Sequence, residues 1–179
     1  MLYNLVNGID FVISLPGKEK GEIYYIGVDV TSSDNLLVLE KKLNKLTDKL
    51  KNNTLPEVKY FVDDENPEIK KKIFLPKVVI STTNGKAKAI QEGLSKDRNY
   101  MLEADVRKEF IDEIEQQLVK SSVYLLERFY GPSASDIRQP KDLLSYFENH
   151  KIKIEKTNKS LFENVLKHVK ILEFFQELE

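Results

Sequence analysis

Residues 9–15, IDFVISL, and residues 23–31, IYYIGVDVT, are the two short segments that decide the fold of this chain. In the first, one face carries only apolar residues and the other is mixed, which is the period of a half-buried β-strand. The second is apolar on both faces, which is typical of a central strand that is covered on both sides. The connection PGKEKG at residues 16–21 is polar and contains two glycines. It predicts an antiparallel hairpin between the two strands.

A leucine-rich segment follows the second strand and predicts a helix at residues 34–51. Its leucines step by three and four positions and form one helical stripe: Leu36, Leu39, Leu43, Leu46 and Leu50. Further strands are predicted at residues 58–62 and 77–83. Because a strand-helix-strand order joins parallel strands through a right-handed crossover, we expect the strand at 58–62 to pair in parallel with the second strand. The lysine-rich connection at residues 68–76 is expected to have room for a short helix.

The remainder of the chain is predicted to be mainly helical. We predict helices at residues 84–94, 104–129, 140–147 and 158–178, and a short edge strand at residues 151–155. The fold class is therefore α/β (mixed α+β), with a small mixed sheet in a strand-hairpin-strand-helix-strand core and a helical C-terminal half. Since no clear linker interrupts the sequence, we expect one domain over residues 1–179. Its α/β core would span residues 1–83, and a helical extension at residues 84–179 would pack on it.

The composition narrows the classes of function. Apolar residues make up 41% of the chain and charged residues 32%, with a net charge of -1, so no global field attracts nucleic acid or membranes. The absence of cysteine excludes disulfides and thiolate metal sites. No apolar run approaches the ~18 residues of a membrane span, and the first eight residues do not resemble a signal peptide. We therefore expect no membrane association and a cytoplasmic location.

Two carboxylates, Asp10 and Asp29, interrupt the two apolar strands. A buried charge is unfavourable unless it is paired or holds a metal ion. If the two carboxylates share one end of the sheet, they repel each other until a proton or a cation lies between them. Hard oxygen ligands suit Mg²⁺ or Mn²⁺, which stabilise the charge that develops in phosphodiester cleavage. The alternative is that both are strand-end carboxylates that are solvated or hydrogen-bonded to a nearby turn.

This order, a strand with Asp10, a hairpin, a strand ending in GVDVT, a helix and a strand, resembles the core of the PD-(D/E)xK nuclease superfamily. The resemblance covers residues 9–62, about a third of the chain. Asp10 matches the first acidic residue of the family motif, and Asp29 matches the acidic residue of the second. Thr31 stands where the family has its lysine. The resemblance implies hydrolysis of phosphodiester bonds in DNA or RNA with Mg²⁺ or Mn²⁺, bound by Asp10 and Asp29.

In some members of that family the lysine comes from the following helix, and Lys42 is the best candidate here. At 100° per residue, Lys42 lies roughly 70° from the centre of the leucine stripe, at the flank of the buried face. Lys41 and Lys45 are predicted to point away from it. The implied role of Lys42 is to orient or deprotonate the attacking water. The alternative is that these lysines only form the solvated face of the helix.

Other lysines are candidates for weak phosphate contacts, although a solvated surface is the favoured explanation: Lys70, Lys71, Lys72, Lys77, Lys86, Lys88 and Lys96. Two other functions also remain open. Because Thr31 replaces the family lysine, the chain is alternatively a catalytically inactive binding or scaffold module with a nuclease fold. It is alternatively a helical interaction protein, which would form a homodimer through an apolar stripe in its last helix. Internal packing is the competing interpretation of that stripe: Phe162, Val165, Leu166, Val169, Leu172 and Phe175.

Overall fold

The computed structural model describes residues 8–32, 36–62, 70–82 and 104–178. Along the chain the elements are β1 (Phe11–Pro16), β2 (Ile23–Ser32), α1 (Leu36–Leu50), β3 (Glu57–Val62), β4 (Lys70–Phe74), β5 (Lys77–Thr82), α2 (Ala104–Phe129), a 3-10 turn (Pro132–Ala134), α3 (Pro140–Thr157) and α4 (Lys159–Gln176). A small mixed sheet and a helical C-terminal half confirm the predicted fold class.

The main sheet has the strand order β1-β2-β5. β1 and β2 form the predicted antiparallel hairpin, in which the Gly17 N–H donates to the Glu22 carbonyl at 2.7 Å. Gly21 has a φ of +83°, a left-handed conformation that glycine adopts without steric penalty. β5 lies parallel to β2 on its other side, and α1 lies in the crossover between these two strands. The central position of β2 agrees with its apolar character on both faces.

The predicted pairing of β3 with β2 is wrong. β3 pairs antiparallel with β4 in a separate two-stranded sheet, which is inserted in the crossover between α1 and β5. The connection at residues 68–76, where a short helix is expected, contains the strand β4 instead. The place beside β2 belongs to β5, whose residues Val78, Val79 and Ile80 are all buried. A continuous apolar run of this kind suits a parallel strand that is covered on both faces.

One large cluster of buried side chains joins the two halves of the chain. Ile26 and Val28 of β2 contribute to it from the sheet, and Leu46 and Leu50 contribute from α1. The helical half supplies many more members, which include Leu118, Leu125 and Leu126 of α2 and Val165, Val169, Leu172 and Phe175 of α4. The α4 stripe therefore packs inside its own chain, as the internal-packing interpretation predicts. A homodimer through the C-terminal helices stays an untested prediction.

The helix prediction for residues 104–129 is confirmed to the residue by α2, and α4 corresponds to the helix predicted at 158–178. The edge strand predicted at residues 151–155 is wrong, because these residues belong to α3. In a strand Ile152 and Ile154 would share a face, but in the helix Ile154 is buried and Ile152 is 63% exposed. The helix predicted at residues 84–94 lies outside the described residues. No helix among the described residues has the length and apolar character that crossing a membrane requires.

Candidate active site

The structure brings the two aspartates of the hairpin to neighbouring positions. Asp10 directly precedes β1, and its N–H donates to the Val28 carbonyl at 2.7 Å, beside Asp29 of β2. Asp10 is exposed, and its Oδ2 accepts a hydrogen bond from the Val30 N–H at 2.7 Å. Asp29 is only 2% exposed, which makes it a buried carboxylate in the middle of an apolar sheet.

Lys42 reaches Asp29 from helix α1. Its ammonium donates to Asp29 Oδ1 and, at 3.1 Å, to the Val30 carbonyl. Lys42 lies one turn before the buried Leu46, and side chains four residues apart share a face of a helix. The packing of Leu46 against the core therefore directs Lys42 toward the sheet, whereas Lys41 is exposed. With 27% of its side chain accessible, Lys42 is in contact with both Asp29 and solvent.

A second lysine, Lys77, holds the other oxygen of Asp29. It is the first residue of β5 and pairs with Gly27 of β2, so its side chain shares a face with Asp29 two residues further on. The Lys77 ammonium lies 2.7 Å from Asp29 Oδ2, and the residue is only 6% exposed. Its assignment to a surface lysine patch is therefore wrong. Lys77 directly precedes the apolar run of β5, which is a sequence signal for a lysine at the edge of the core. This signal does not lead to Asp29, because the sequence predicts β3 and not β5 as the partner of β2.

Two glycines allow the backbone to close around this ion pair. A Cβ atom on Gly27 would lie 2.7 Å from Leu75 Cδ1 and 2.8 Å from Ile9 Cδ1, so glycine lets these buried side chains pack on β2. Gly8 has a φ of +67°, and a Cβ there would lie 3.1 Å from Asp29 Oδ2 and 3.5 Å from Lys77 Nζ. The Oδ2 side of Asp29 is thus closed by the Gly8 backbone and the Lys77 ammonium.

The aspartates and lysines line a cleft of about 640 Å³ between α1 and the sheet. One wall is the face of α1 that carries Lys42, Lys45 and Lys49, at a spacing of three and four residues. Lys45 was predicted to point away from the site, but it contributes to this wall while remaining exposed. Asp48 lies on the same wall and pairs with Lys51 at 2.6 Å. The remaining lining residues are Gly8, Leu46 and Pro56.

The charges at the centre of the cleft balance. Asp10 and Asp29 supply two negative charges, and Lys42 and Lys77 supply two positive charges. Removing one member of a buried pair leaves an uncompensated charge, which is strongly destabilising. Along the helix wall Lys45 and Lys49 add two positive charges and Asp48 adds one negative charge, so the lining residues carry a net charge of +1, which favours an anionic ligand.

The donor set at this site is compatible with one kind of metal ion. Mg²⁺ is usually held by one or two carboxylates, and water and substrate phosphates complete its ligands. Asp10 and Asp29 are such a pair. Oδ2 of Asp10 accepts a hydrogen bond from the Val30 N–H, whereas Oδ1 of Asp10 accepts none within the described residues. No group of three or more Asp, Glu, His or Cys side chains suited to a metal occurs in the part of the chain that the structure describes. An ion at this site would compete with Lys42 for Asp29 Oδ1.

The lysine patch predicted around residues 70–72 lies elsewhere. Lys72 pairs with Glu57 of the β3–β4 sheet at 2.8 Å and does not line the cleft. Lys70 and Lys71 belong to β4, and Lys86, Lys88 and Lys96 lie outside the described residues. Their contact with nucleic acid stays a prediction.

In comparisons with known proteins, no family model, no curated protein and no solved structure matches this chain.

Proposed function

We propose that this chain is a Mg²⁺- or Mn²⁺-dependent hydrolase of phosphodiester bonds in DNA or RNA, with its active site in the cleft between α1 and the sheet. The observation that carries the proposal is the contact between the Lys42 ammonium and Asp29 Oδ1, beside the carboxylate of Asp10. These are the three side chains that the resemblance to PD-(D/E)xK nucleases selects. They come from a strand end, a strand and a helix, and all three line one cleft.

The residues of the cleft have separate roles in the proposed reaction. Asp10 and Asp29 would hold the metal ion, which supplies a polarised water and charge stabilisation at the phosphate. Lys42 donates from beside Asp29 Oδ1 and the Val30 carbonyl, so its N–H groups are placed to orient a water bound at the same carboxylate. As a cation it also stabilises the negative charge that develops on the phosphoryl oxygens.

The helix wall supports a polyanionic substrate. Lys45 and Lys49 lie along the cleft one and two turns beyond Lys42 and form no ion pair within the described residues. Lysines that neutralise phosphates release counterions, so binding should weaken as salt concentration rises. The cysteine-free composition is compatible with a reducing compartment, and we place the activity in the cytoplasm.

A cleavage assay with single- and double-stranded DNA and RNA tests this proposal. Wild-type protein should cut at least one substrate with Mg²⁺ or Mn²⁺, and excess chelator should stop the reaction. Asp10→Asn should lower the rate about 100-fold or more, because it removes the negative charge from the exposed member of the pair. Asp136→Asn is the matched control, since Asp136 is exposed and lies outside the cleft. Equal rates in the two variants would contradict the assignment of Asp10.

A binding module without catalysis is the second candidate function. The observation in its favour is that both oxygens of Asp29 already accept hydrogen bonds from lysines, as in a purely structural ion pair. Calorimetric titration separates the two candidates. An enzyme of the proposed kind should bind Mn²⁺ in wild type and lose that heat in Asp10→Asn. A binding module should give no Mn²⁺ heat while it binds nucleic acid or a protein partner.

A further inference from the structure

The two lysines that hold Asp29 differ in their access to solvent. Lys77 is 6% exposed and holds Oδ2, whereas the side chain of Lys42 is 27% exposed and holds Oδ1. Lys42 can therefore leave the carboxylate and keep its charge solvated, but Lys77 would have to carry its charge through the protein interior. The desolvation of a buried charge opposes such a movement strongly.

The backbone that carries Lys77 is held on both sides. β2 forms a parallel ladder with β5 on one side. On the other side, the Gln117 side chain of α2 accepts from the Val79 N–H at 2.8 Å and donates to the Val79 carbonyl at 2.6 Å. Glu113 Oε1 accepts from the Ser81 N–H at 3.3 Å. Side chains of α2 thus take the place of a further strand, which fixes the position from which Lys77 reaches Asp29.

The Oδ2 side of Asp29 is also closed to larger groups. A single Cβ on Gly8 would come within 3.1 Å of this oxygen. The Oδ1 atom, in contrast, meets the partly exposed Lys42. Of the two oxygens of Asp29, Oδ2 therefore has a fixed partner, and Oδ1 has a partner that solvent reaches.

We propose that Lys77 is a positioning residue for Asp29: it fixes Oδ2, so that Oδ1 is the oxygen that would exchange its contact with Lys42 for a metal ion. This inference rests on the proposed function. Without Lys77, the departure of Lys42 would leave the Asp29 carboxylate without a hydrogen-bond partner of known position. Lys77 prevents this by holding Oδ2 at 2.7 Å from a buried strand position, which fixes the plane of the carboxylate. It acts through Asp29 and does not touch the substrate.

Steady-state kinetics and calorimetric Mn²⁺ titration of Lys77→Met and Lys77→Arg test this role, and folded Lys77→Met should bind Mn²⁺ about 10- to 100-fold more weakly than wild type. Lys77→Met should lower kcat about 10- to 100-fold with little change in KM, as expected for a group that supports a metal ligand. Lys77→Arg keeps a cation at the same strand position and should recover part of the lost kcat. Lys45→Met should give the opposite pattern, a raised KM with a smaller effect on kcat, because Lys45 lies on the exposed wall of the cleft.

A pair of glycine variants tests the same role if Lys77→Met does not fold. Gly8→Ala places a methyl group against Asp29 Oδ2, whereas Gly21→Ala adds one where no atom lies within 4 Å. Both glycines have a positive φ, so the backbone strain is matched. Gly8→Ala should lower kcat severalfold more than Gly21→Ala does.

The outcomes separate this inference from the proposed function. If wild-type protein cleaves no nucleic acid with either metal, the proposed function fails and the role of Lys77 fails with it. If wild type cleaves and folded Lys77→Met keeps the wild-type kcat, only the role of Lys77 is overturned. A raised KM at unchanged kcat in Lys77→Met would also overturn it, because Lys77 would then bind substrate directly. Equal kcat values in Gly8→Ala and Gly21→Ala would do the same.

Discussion

The cleft and helix α4 both bury polar side chains, but they do so in different forms. The cleft buries charges, since Asp29 and Lys77 form an ion pair at 2.7 Å under almost complete burial. The buried polar side chains of α4, Asn164 and His168, are neutral groups. His168 is 1% exposed, and its Nδ1 makes a 2.8 Å hydrogen bond with the Asn164 carbonyl. Asn164 in turn donates to the Asn53 carbonyl at 2.8 Å.

This difference indicates where the chemistry lies. A neutral polar group that is hydrogen-bonded on burial contributes modestly to stability and ties elements together. A buried ion pair is seldom better for stability than apolar side chains of the same size. Asp29 and Lys77 are therefore poorly explained by stability alone, and the function proposed for the cleft would account for them. In the helical half, burial lowers the pKa of His168 to about 4, so this histidine is neutral at physiological pH.

The largest expected effect on stability comes from breaking the ion pair of the cleft. Asp29→Ala should lower the free energy of unfolding by about 3–5 kcal/mol, because it leaves the buried Lys77 ammonium without its carboxylate. Urea unfolding measures the change. Asp10→Ala is the control and should lower it by less than about 1 kcal/mol, since Asp10 is exposed and loses one hydrogen bond. Similar values for both variants would remove the contrast between the two aspartates.

The second prediction concerns pH and the neutral histidine of the helical half. The folded-state pKa of His168, about 4, lies below its ordinary value of 6.5 because burial opposes its charged form. Between these values the unfolded chain binds the proton more strongly, so stability falls as pH decreases from 6.5 to 4. The loss amounts to about 3 kcal/mol and levels off below the lower value.

Unfolding measured across this pH range in His168→Gln and His150→Gln checks the assignment. His168→Gln should lack this part of the pH dependence, whereas His150→Gln should keep it. His150 is the matched control because its Nδ1 makes the same type of hydrogen bond, to the Tyr146 carbonyl at 2.8 Å, without full burial. The same slope in both variants would show that other groups cause it.

A smaller effect is expected from Asn164, which ties α4 to the end of α1. Its Nδ2 donates to the carbonyl and to the Oδ1 of Asn53 at 2.8 and 3.0 Å. Asn164→Ala should lower the free energy of unfolding by about 2 kcal/mol, because it leaves the Asn53 carbonyl without its donor. Thermal and urea unfolding should agree on this value. A loss as large as that of Asp29→Ala would contradict the distinction between buried neutral and buried charged groups.

The smallest effect concerns the start of α4. The Asn158 side chain accepts a hydrogen bond from the Leu161 N–H at 3.0 Å, which is a standard helix N-cap. Asn158→Ala should lower the free energy of unfolding by about 1 kcal/mol, and Asn158→Ser should lower it less, because serine also caps helices. Equal losses in the two variants would show that the side-chain cap does not contribute.

Local patterns predicted much of the fold, and long-range pairing was where they failed. The hairpin and α2 follow from turn residues and apolar periodicity, which depend on neighbours in sequence. The choice between β3 and β5 as partner of β2 depends on which strand is buried on both faces, and this is decided by the whole core. Residues 151–155 alternate like a strand, yet they continue helix α3. Ile154 is buried in the core, whereas Ile152 is exposed, so the alternation does not correspond to one buried face.

The candidate site was only partly predictable for the same reason. The family resemblance implies a lysine from the helix, and helical geometry then predicts Lys42, because its angle to the leucine stripe depends only on positions within α1. Lys77 was missed because its approach to Asp29 requires the pairing of β5 with β2, across 48 residues of sequence. The covering of Asp29 by Gly8 depends on the φ of that glycine, which the NG dipeptide indicates as a turn without giving its contacts.

The cleavage rates of Lys42→Met and Lys41→Met, compared at saturating Mn²⁺, test the central claim most directly. The two lysines are adjacent in α1, and both substitutions remove one positive charge, but only Lys42 contacts Asp29. The account predicts that Lys42→Met loses about 100-fold or more in kcat, whereas Lys41→Met stays within a few-fold of wild type. Equal rates in the two variants would contradict it, because the contact between Lys42 and Asp29 would then contribute nothing to cleavage.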